Sequence, residues 1–258
     1  MQVWHMSGAG NDFMVIDARG LTLDFSSLAK DLCAKTGADG FMAVDTAEDA
    51  DFRLHFYNSD GSRGEMCGNG SRCICRFAYD NGIANDTMTV RTDAGMIYGW
   101  RLGENRYRVK LNNPGILDLH RRENAAYVEL GVPGIPHAVV ELPELDFNQK
   151  EPLRQQAVAL RHDPAFPKGA NINFYTQLSD GHVRVLTYER GVEDYTLACG
   201  TGCGSIATVL YSTGRLPGGR LTAHNEGGIL TVTVGEENGS IHSLLLEGAA
   251  DILNIYNV

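Results

Sequence analysis

The chain has 258 residues, 43% hydrophobic and 21% charged, with 22 Lys and Arg against 32 Asp and Glu for a formal net charge of −10 at pH 7. That acidic balance argues against a nucleic-acid or anionic-membrane surface as the partner. No apolar run approaches the roughly 18 residues of a membrane span, and the start Met1-Gln-Val-Trp-His-Met6 lacks the charged-then-apolar order of a signal peptide, so a cytoplasmic protein is expected.

Taken in chain order, residues 52–57 alternate as a strand and lead through a polar loop into the turn Cys67-Gly68-Asn69-Gly70. A half-buried helix is predicted over 71–79, ending at Asn81-Gly82, followed by strands over 87–91, 97–102 and 107–111. The cluster Asn112-Asn113-Pro114-Gly115 reads as a linker near the middle. A strand over 182–188 then leads into a second turn, Cys199-Gly200-Thr201-Gly202, with a helix over 204–211 ending at Thr213-Gly214 and strands over 230–234 and 242–246. This is an α+β pattern with mostly antiparallel sheet around one or two helices per half.

The two turns are copies. Subtracting 67 from 199 gives an offset of 132, and the same offset carries His5 onto His137, Gly37-Ala38 onto Gly169-Ala170 and Phe56 onto Tyr188. After a one-residue slip, residues 88–97 fall on 221–230. A repeat this long predicts two homologous domains rather than a solenoid, divided as 1–112 and 113–250.

Six cysteines are too few for a disulfide scaffold in a chain of this length, and none shows the Cys-x2-Cys spacing of a structural zinc site, so each reads as a thiol. Cys33, Cys73, Cys75 and Cys203 read as packing residues. Cys67 and Cys199 each open a helix, where unpaired N–H groups and a partial positive charge favour thiolate. The N–H groups of Gly68, Asn69, Gly200 and Thr201 could hold a carboxylate. A symmetric pair of thiols suits removal of a proton from one face of a tetrahedral carbon and its return to the other, which is racemisation or epimerisation. The five lysines (Lys30, Lys35, Lys110, Lys150, Lys168) stand away from these turns, leaving a pyridoxal cofactor no visible anchor, so neither cofactor nor metal is expected.

The motifs at 5–13, Gly37-Ala-Asp-Gly40, Asn58-Ser-Asp-Gly-Ser62, 66–73, Pro136-His-Ala-Val139, Asn171-Ile-Asn-Phe174, Glu189-Arg-Gly191 and 198–202 together resemble the diaminopimelate epimerase family, in its order, from residue 5 to about 210. The resemblance implies two pseudo-symmetric domains, each a sheet wrapped around a central helix, with the C-terminal strand at about 251–258 returning to the first. It implies a cofactor-independent enzyme that takes LL-diaminopimelate to the meso form for lysine and cell-wall synthesis, commonly as a homodimer. Cys67 and Cys199 become its acid/base pair, Gly68, Asn69, Gly200 and Thr201 the α-carboxylate holders, and Asn11, Asn58, Asn171, Glu189 and Arg190 the groups that hold the substrate's amino and carboxylate ends. Arg190 suits a bidentate grip on the distal carboxylate. One departure stands out: Ile135 occupies the place of a family Asn that touches the substrate's distal end, and it cannot donate that hydrogen bond. A related racemase acting on another amino acid such as histidine is the alternative, and an amino-acid-binding or thiol redox-sensing protein a third reading.

Overall fold

The computed structural model describes residues 1–64 and 68–257, so Cys67 lies outside the described residues. The chain divides into two compact units, Met1–Lys110 with Glu247–Val258, and Leu111–Leu246.

In the first unit β1 (Gln2–Gly8) forms a hairpin with β2 (Asn11–Asp17), and α1 (Phe25–Thr36) carries the chain over to β3 (Gly40–Asp45), parallel to β2. β4 (Phe52–Asn58) runs antiparallel to β3, and α2 (Gly68–Asp80) then crosses to β5 (Thr87–Thr92), parallel to β4. β6 (Gly95–Arg101) and β7 (Arg106–Leu111) finish the run as antiparallel neighbours.

The second unit repeats this plan. β8 (Pro114–Arg122) pairs with β9 (Ala125–Gly131), which forms a hairpin with β10 (Gly134–Glu141), and α3 (Lys150–Arg161) crosses to the parallel β11 (Asn171–Ser179). β12 (His182–Glu189) is antiparallel to β11 and carries the short β13 (Asp194–Thr196) beside its end. α4 (Gly200–Ser212) crosses to β14 (Arg220–Asn225), parallel to β12, followed by β15 (Gly228–Glu237) and β16 (Ser240–Ala249). The last strand, β17 (Asp251–Asn257), pairs antiparallel with β1, as β8 pairs with β9. The α+β class with mostly antiparallel pairing holds. The parallel pairs, each bridged by a helix, are what periodicity did not disclose, since a crossover is a long-range choice.

The central helices are buried on nearly every side: α2 from Asn69 through Cys75 with Phe77 and Ala78, α4 at Gly200 and from Gly202 through Leu210. An amphipathic surface helix would show one apolar stripe, and α1 does, burying Ala29, Leu32 and Cys33 on a core with Val3, Met14, Ile16 and Phe41. Asp24 caps α1 by accepting from Ser27 N–H at 3.2 Å, and Gly37 ends it in the left-handed region at φ 75°. α3 packs Ala157 and Leu160 into the corresponding core with Ala138, Ile172, Phe174 and Leu186. Cys33, Cys73, Cys75 and Cys203 are buried thiols, as expected of packing residues.

The strand ladders correct parts of the repeat alignment. α2 and α4 repeat at an offset of 132, and the hairpin closures Thr92 with Gly95 and Asn225 with Gly228 repeat after the one-residue slip. His5 and His137 are not equivalent: His5 lies on the first strand of a hairpin, whereas His137 lies on β10, the counterpart of β2, because both β2 and β10 precede the crossover to a parallel neighbour. Gly40 and Asn171 each open the strand after a crossover, and Phe41 opposite Tyr57 then matches Ile172 opposite Tyr188, which makes Tyr57 and not Phe56 the partner of Tyr188. The expected linker shrinks to Asn112 and Asn113, since Pro114 opens β8, a position where a missing N–H costs no ladder bond.

Candidate active site

In the second unit the site is built at the start of α4. Cys199 is its N-cap, in extended conformation, and its Sγ accepts from Gly202 N–H at 3.4 Å and lies 3.5 Å from Thr201 Oγ1. Gly200 and Thr201 are the first two helical residues, so their N–H groups have no partner within the helix. Gly202 must be glycine, because a Cβ there would drive into Asn173 Oδ1.

The Cys199 thiol is nearly inaccessible, at 7%. Burial is the largest influence and pushes its pKa up, the charge of Glu189 pushes the same way, and the hydrogen bonds from Thr201 and Gly202 do not reverse them. Cys199 is therefore a thiol at neutral pH, the proton-donating form. Two weak bonds to sulfur are outweighed by desolvation beside a carboxylate, so the helix start does not by itself lower this thiol.

Glu189 and Arg190 close β12 and follow it. The Arg190 N–H donates to Asn171 Oδ1 at 2.8 Å, and its Nη1 donates to the Lys168 carbonyl at 3.1 Å. Asn171 is buried at the start of β11. Two residues on, fully buried Asn173 donates from Nδ2 to the carbonyls of Ala138 and Asn171 and lies 3.1 Å from His137 Nδ1, while its Oδ1 accepts from Thr187 Oγ1 at 3.1 Å. Burial depresses the His137 pKa to about 3, which keeps the ring neutral. Ile135 is half-buried on β10, opposite Leu130.

In the first unit Gly68 and Asn69 open α2. Asn69 Nδ2 donates to Asn11 Oδ1 at 2.6 Å, and Asn11 Nδ2 donates to Asp39 Oδ2 at 3.2 Å, with Asp12 N–H on the same oxygen at 3.0 Å. Behind them Arg72, fully buried, donates to Asn69 Oδ1 and the Gly68 carbonyl at 3.0 Å each, and to the Ala249 carbonyl at 3.3 Å. Asn58 is exposed at the end of β4, its Nδ2 donating to Ser62 Oγ at 3.0 Å in a turn that Asp60 also braces.

The structure thus joins Asn11 to Asn69, and Cys199 to Thr201, Glu189 to Cys199 by its charge, and Asn171 to Arg190. Sequence reasoning gave no role to Asp39, Arg72, Asn173 or Lys168. The signal was present for Asn173: residues two apart on a strand share a face, and Asn171-Ile-Asn173 stood in a quoted motif. Among the described residues no group of three or more His, Cys, Asp or Glu is placed to hold a metal ion, and no helix is long and apolar enough to cross a membrane.

Comparison with known proteins bears on the same residues. A family model described as diaminopimelate epimerase matches residues 3–109 and 132–252. The chain is 36% identical over 260 residues to the diaminopimelate epimerase of Aquifex aeolicus, covering 92% of this chain and 91% of that one. Against the diaminopimelate epimerase of Flavobacterium psychrophilum it is 31% identical over 260 residues, covering 98% of each. A solved phenazine biosynthesis protein of the PhzF family from Bacillus anthracis superposes with a TM-score of 0.75 at 16% identity, covering 100% of this chain and 98% of that one, and so shares the fold. With both Cys-Gly-x-Gly helix starts inside the matched ranges, the chain belongs to the diaminopimelate epimerase family.

Proposed function

We propose that the protein is an isomerase that interconverts LL-2,6-diaminopimelate and its meso form by proton transfer at the α-carbon, without a cofactor, in lysine and peptidoglycan synthesis. The observation that carries this reading is the second helix start, where a buried neutral thiol caps a helix whose first two N–H groups have no partner within the helix, in a chain that repeats the motif at Cys67. Cys67 and Cys199 act as a thiolate and thiol pair on opposite faces of the carbon, exchanging roles with direction. The N–H groups of Gly68, Asn69, Gly200 and Thr201 receive the α-carboxylate as negative charge spreads into it.

Glu189 gives this chemistry a trigger. Its carboxylate disfavours a Cys199 thiolate in the free protein; a substrate ammonium beside it would cancel that field, so binding itself would lower the thiol pKa. Asn11, Asn58 and Asn171 hold the remaining polar ends of the substrate, and Arg190 the distal carboxylate. We place the enzyme in the cytoplasm, as a homodimer.

The test is NMR in D2O on the reduced protein with no added cofactor, following α-hydrogen exchange in LL-diaminopimelate beside histidine, glutamate, lysine and proline. Exchange with diaminopimelate alone is expected, and Cys67→Ala and Cys199→Ala should each lower epimerisation by at least about a thousandfold. Normal turnover by either variant would overturn the two-base mechanism, and preferred exchange with another amino acid would overturn the substrate.

A further inference from the structure

Around Arg190 a series of contacts reaches a buried acid. The Lys168 carbonyl that accepts from Arg190 Nη1 belongs to a residue anchored at its other end: Lys168 Nζ donates to Glu129 Oε2 at 2.8 Å, and the Tyr127 hydroxyl donates to Glu129 Oε1 at 2.6 Å. Glu129 is 4% exposed, whereas the Lys168 side chain is half exposed. Tyr127 is held in turn, stacked on buried Phe166 with centroids 5.5 Å apart and an interplanar angle of 14°, with the Arg121 guanidinium over its ring. A Cβ at Gly134, the residue before Ile135, would lie 3.1 Å from Glu129 Oε2, so this strand leaves room for the carboxylate.

Burial pushes Glu129 up, but its bonds from Lys168 and Tyr127 outweigh that and hold it below the usual carboxylate range. The residue is an ionised carboxylate inside the protein, an arrangement that is rarely retained for stability alone because desolvation offsets the gain. A guanidinium recognises a carboxylate through a planar fork, and that fork contributes most when its torsions are already restrained.

We propose that Glu129 is a positioning residue for substrate binding: it anchors Lys168, whose carbonyl orients the Arg190 guanidinium for a substrate's second carboxylate. This rests on the reading above, in which Arg190 grips the distal end.

Two substitutions separate the link from simple packing. Glu129→Gln keeps the shape and the Tyr127 partner but removes the charge that holds Lys168; Lys168→Met keeps the carbonyl and the stem but removes the ammonium. Each should raise KM for LL-diaminopimelate about fivefold to tenfold while kcat changes by less than about twofold, and the Glu129→Gln effect should vanish in an Arg190→Lys background. A second readout needs no substrate: the Arg190 Nε–H signal in 15N NMR, assigned by its loss in Arg190→Lys, should shift or broaden in both variants. Unchanged KM and an unmoved signal in both variants would overturn the proposal, as would a KM effect that persists in full without Arg190. A wild-type protein inert toward diaminopimelate would count against the functional reading, while the NMR signal would still decide the Glu129 link.

Discussion

The two central helices share their bounds at an offset of 132 and differ in what lies beneath their first turns. In α2 the position five after the cysteine is Arg72, fully buried, reaching Gly68, Asn69 and Ala249. In α4 it is Gly204, whose open side faces the methyl ends of Leu111 and Leu130. The second helical residue differs likewise: Asn69 extends a polar network to Asn11 and Asp39, whereas Thr201 turns its hydroxyl to the Cys199 sulfur. Duplication preserved the backbone device, a helix start behind Cys-Gly-x-Gly, and left the electrostatics free to diverge. One helix start stands over a guanidinium and the other beside a carboxylate, so two thiols from one ancestral motif need not share a proton affinity.

That contrast can be broken at its strongest point first. Arg72→Met should leave three acceptors without their donor and lower stability by about 3 kcal/mol, read as a fall in the urea midpoint at unchanged slope. A midpoint within error of wild type would mean that the guanidinium is not what orders the first turn of α2.

Next comes the pH response of the second unit. Folded His137 takes its proton only near pH 3, whereas an unfolded histidine takes it near the ordinary 6.5, so between those limits the unfolded chain binds more protons. Stability should therefore be intact above pH 6.5 and fall as pH drops, by about 3 kcal/mol at pH 4 from this group. His137→Gln should flatten that part of the profile, and an equal slope in the variant would remove His137 as its source.

The smallest effect is expected at Gly204→Ala. Its Cβ would lie 2.8 Å from Leu111 Cδ1 and 3.3 Å from Leu130 Cδ1. Crowding costs more than the gain in helix propensity returns, for a net loss of about 1 kcal/mol by thermal denaturation. A stabilised variant would show that the apolar side of the comparison has spare room.

Particular residues show where the sequence was readable. The helix starts were legible because Gly-rich turns after a strand leave few other courses, and residues 88–97 could be matched to 221–230 through a shared Thr, acid and Gly between apolar ends. The His5 and His137 match misled because identity at a fixed offset carries no information on which strand neighbours which. Nothing in the local sequence marks Arg72 or Glu129 for burial, since each is covered only by residues that the fold brings from elsewhere in the chain. For the site, the motif residues could be listed from the chain, yet the hydrogen-bond partners of Asn11 lie 28 and 58 residues away and those of Arg190 lie 19 and 22 residues away.

By itself the sequence determined the repeated Cys-Gly-x-Gly motif before each central helix, the strand-rich α+β class and the family, because turn chemistry, alternation and motif order are local properties written in consecutive residues. Tertiary structure alone decided that two parallel crossovers per unit order the strands, that Cys199 is a buried thiol rather than a thiolate, and that a guanidinium lies under one helix and leucines under the other. Those outcomes depend on desolvation and on contacts between residues distant along the chain, and both come into being only when the sheet has closed around its helix.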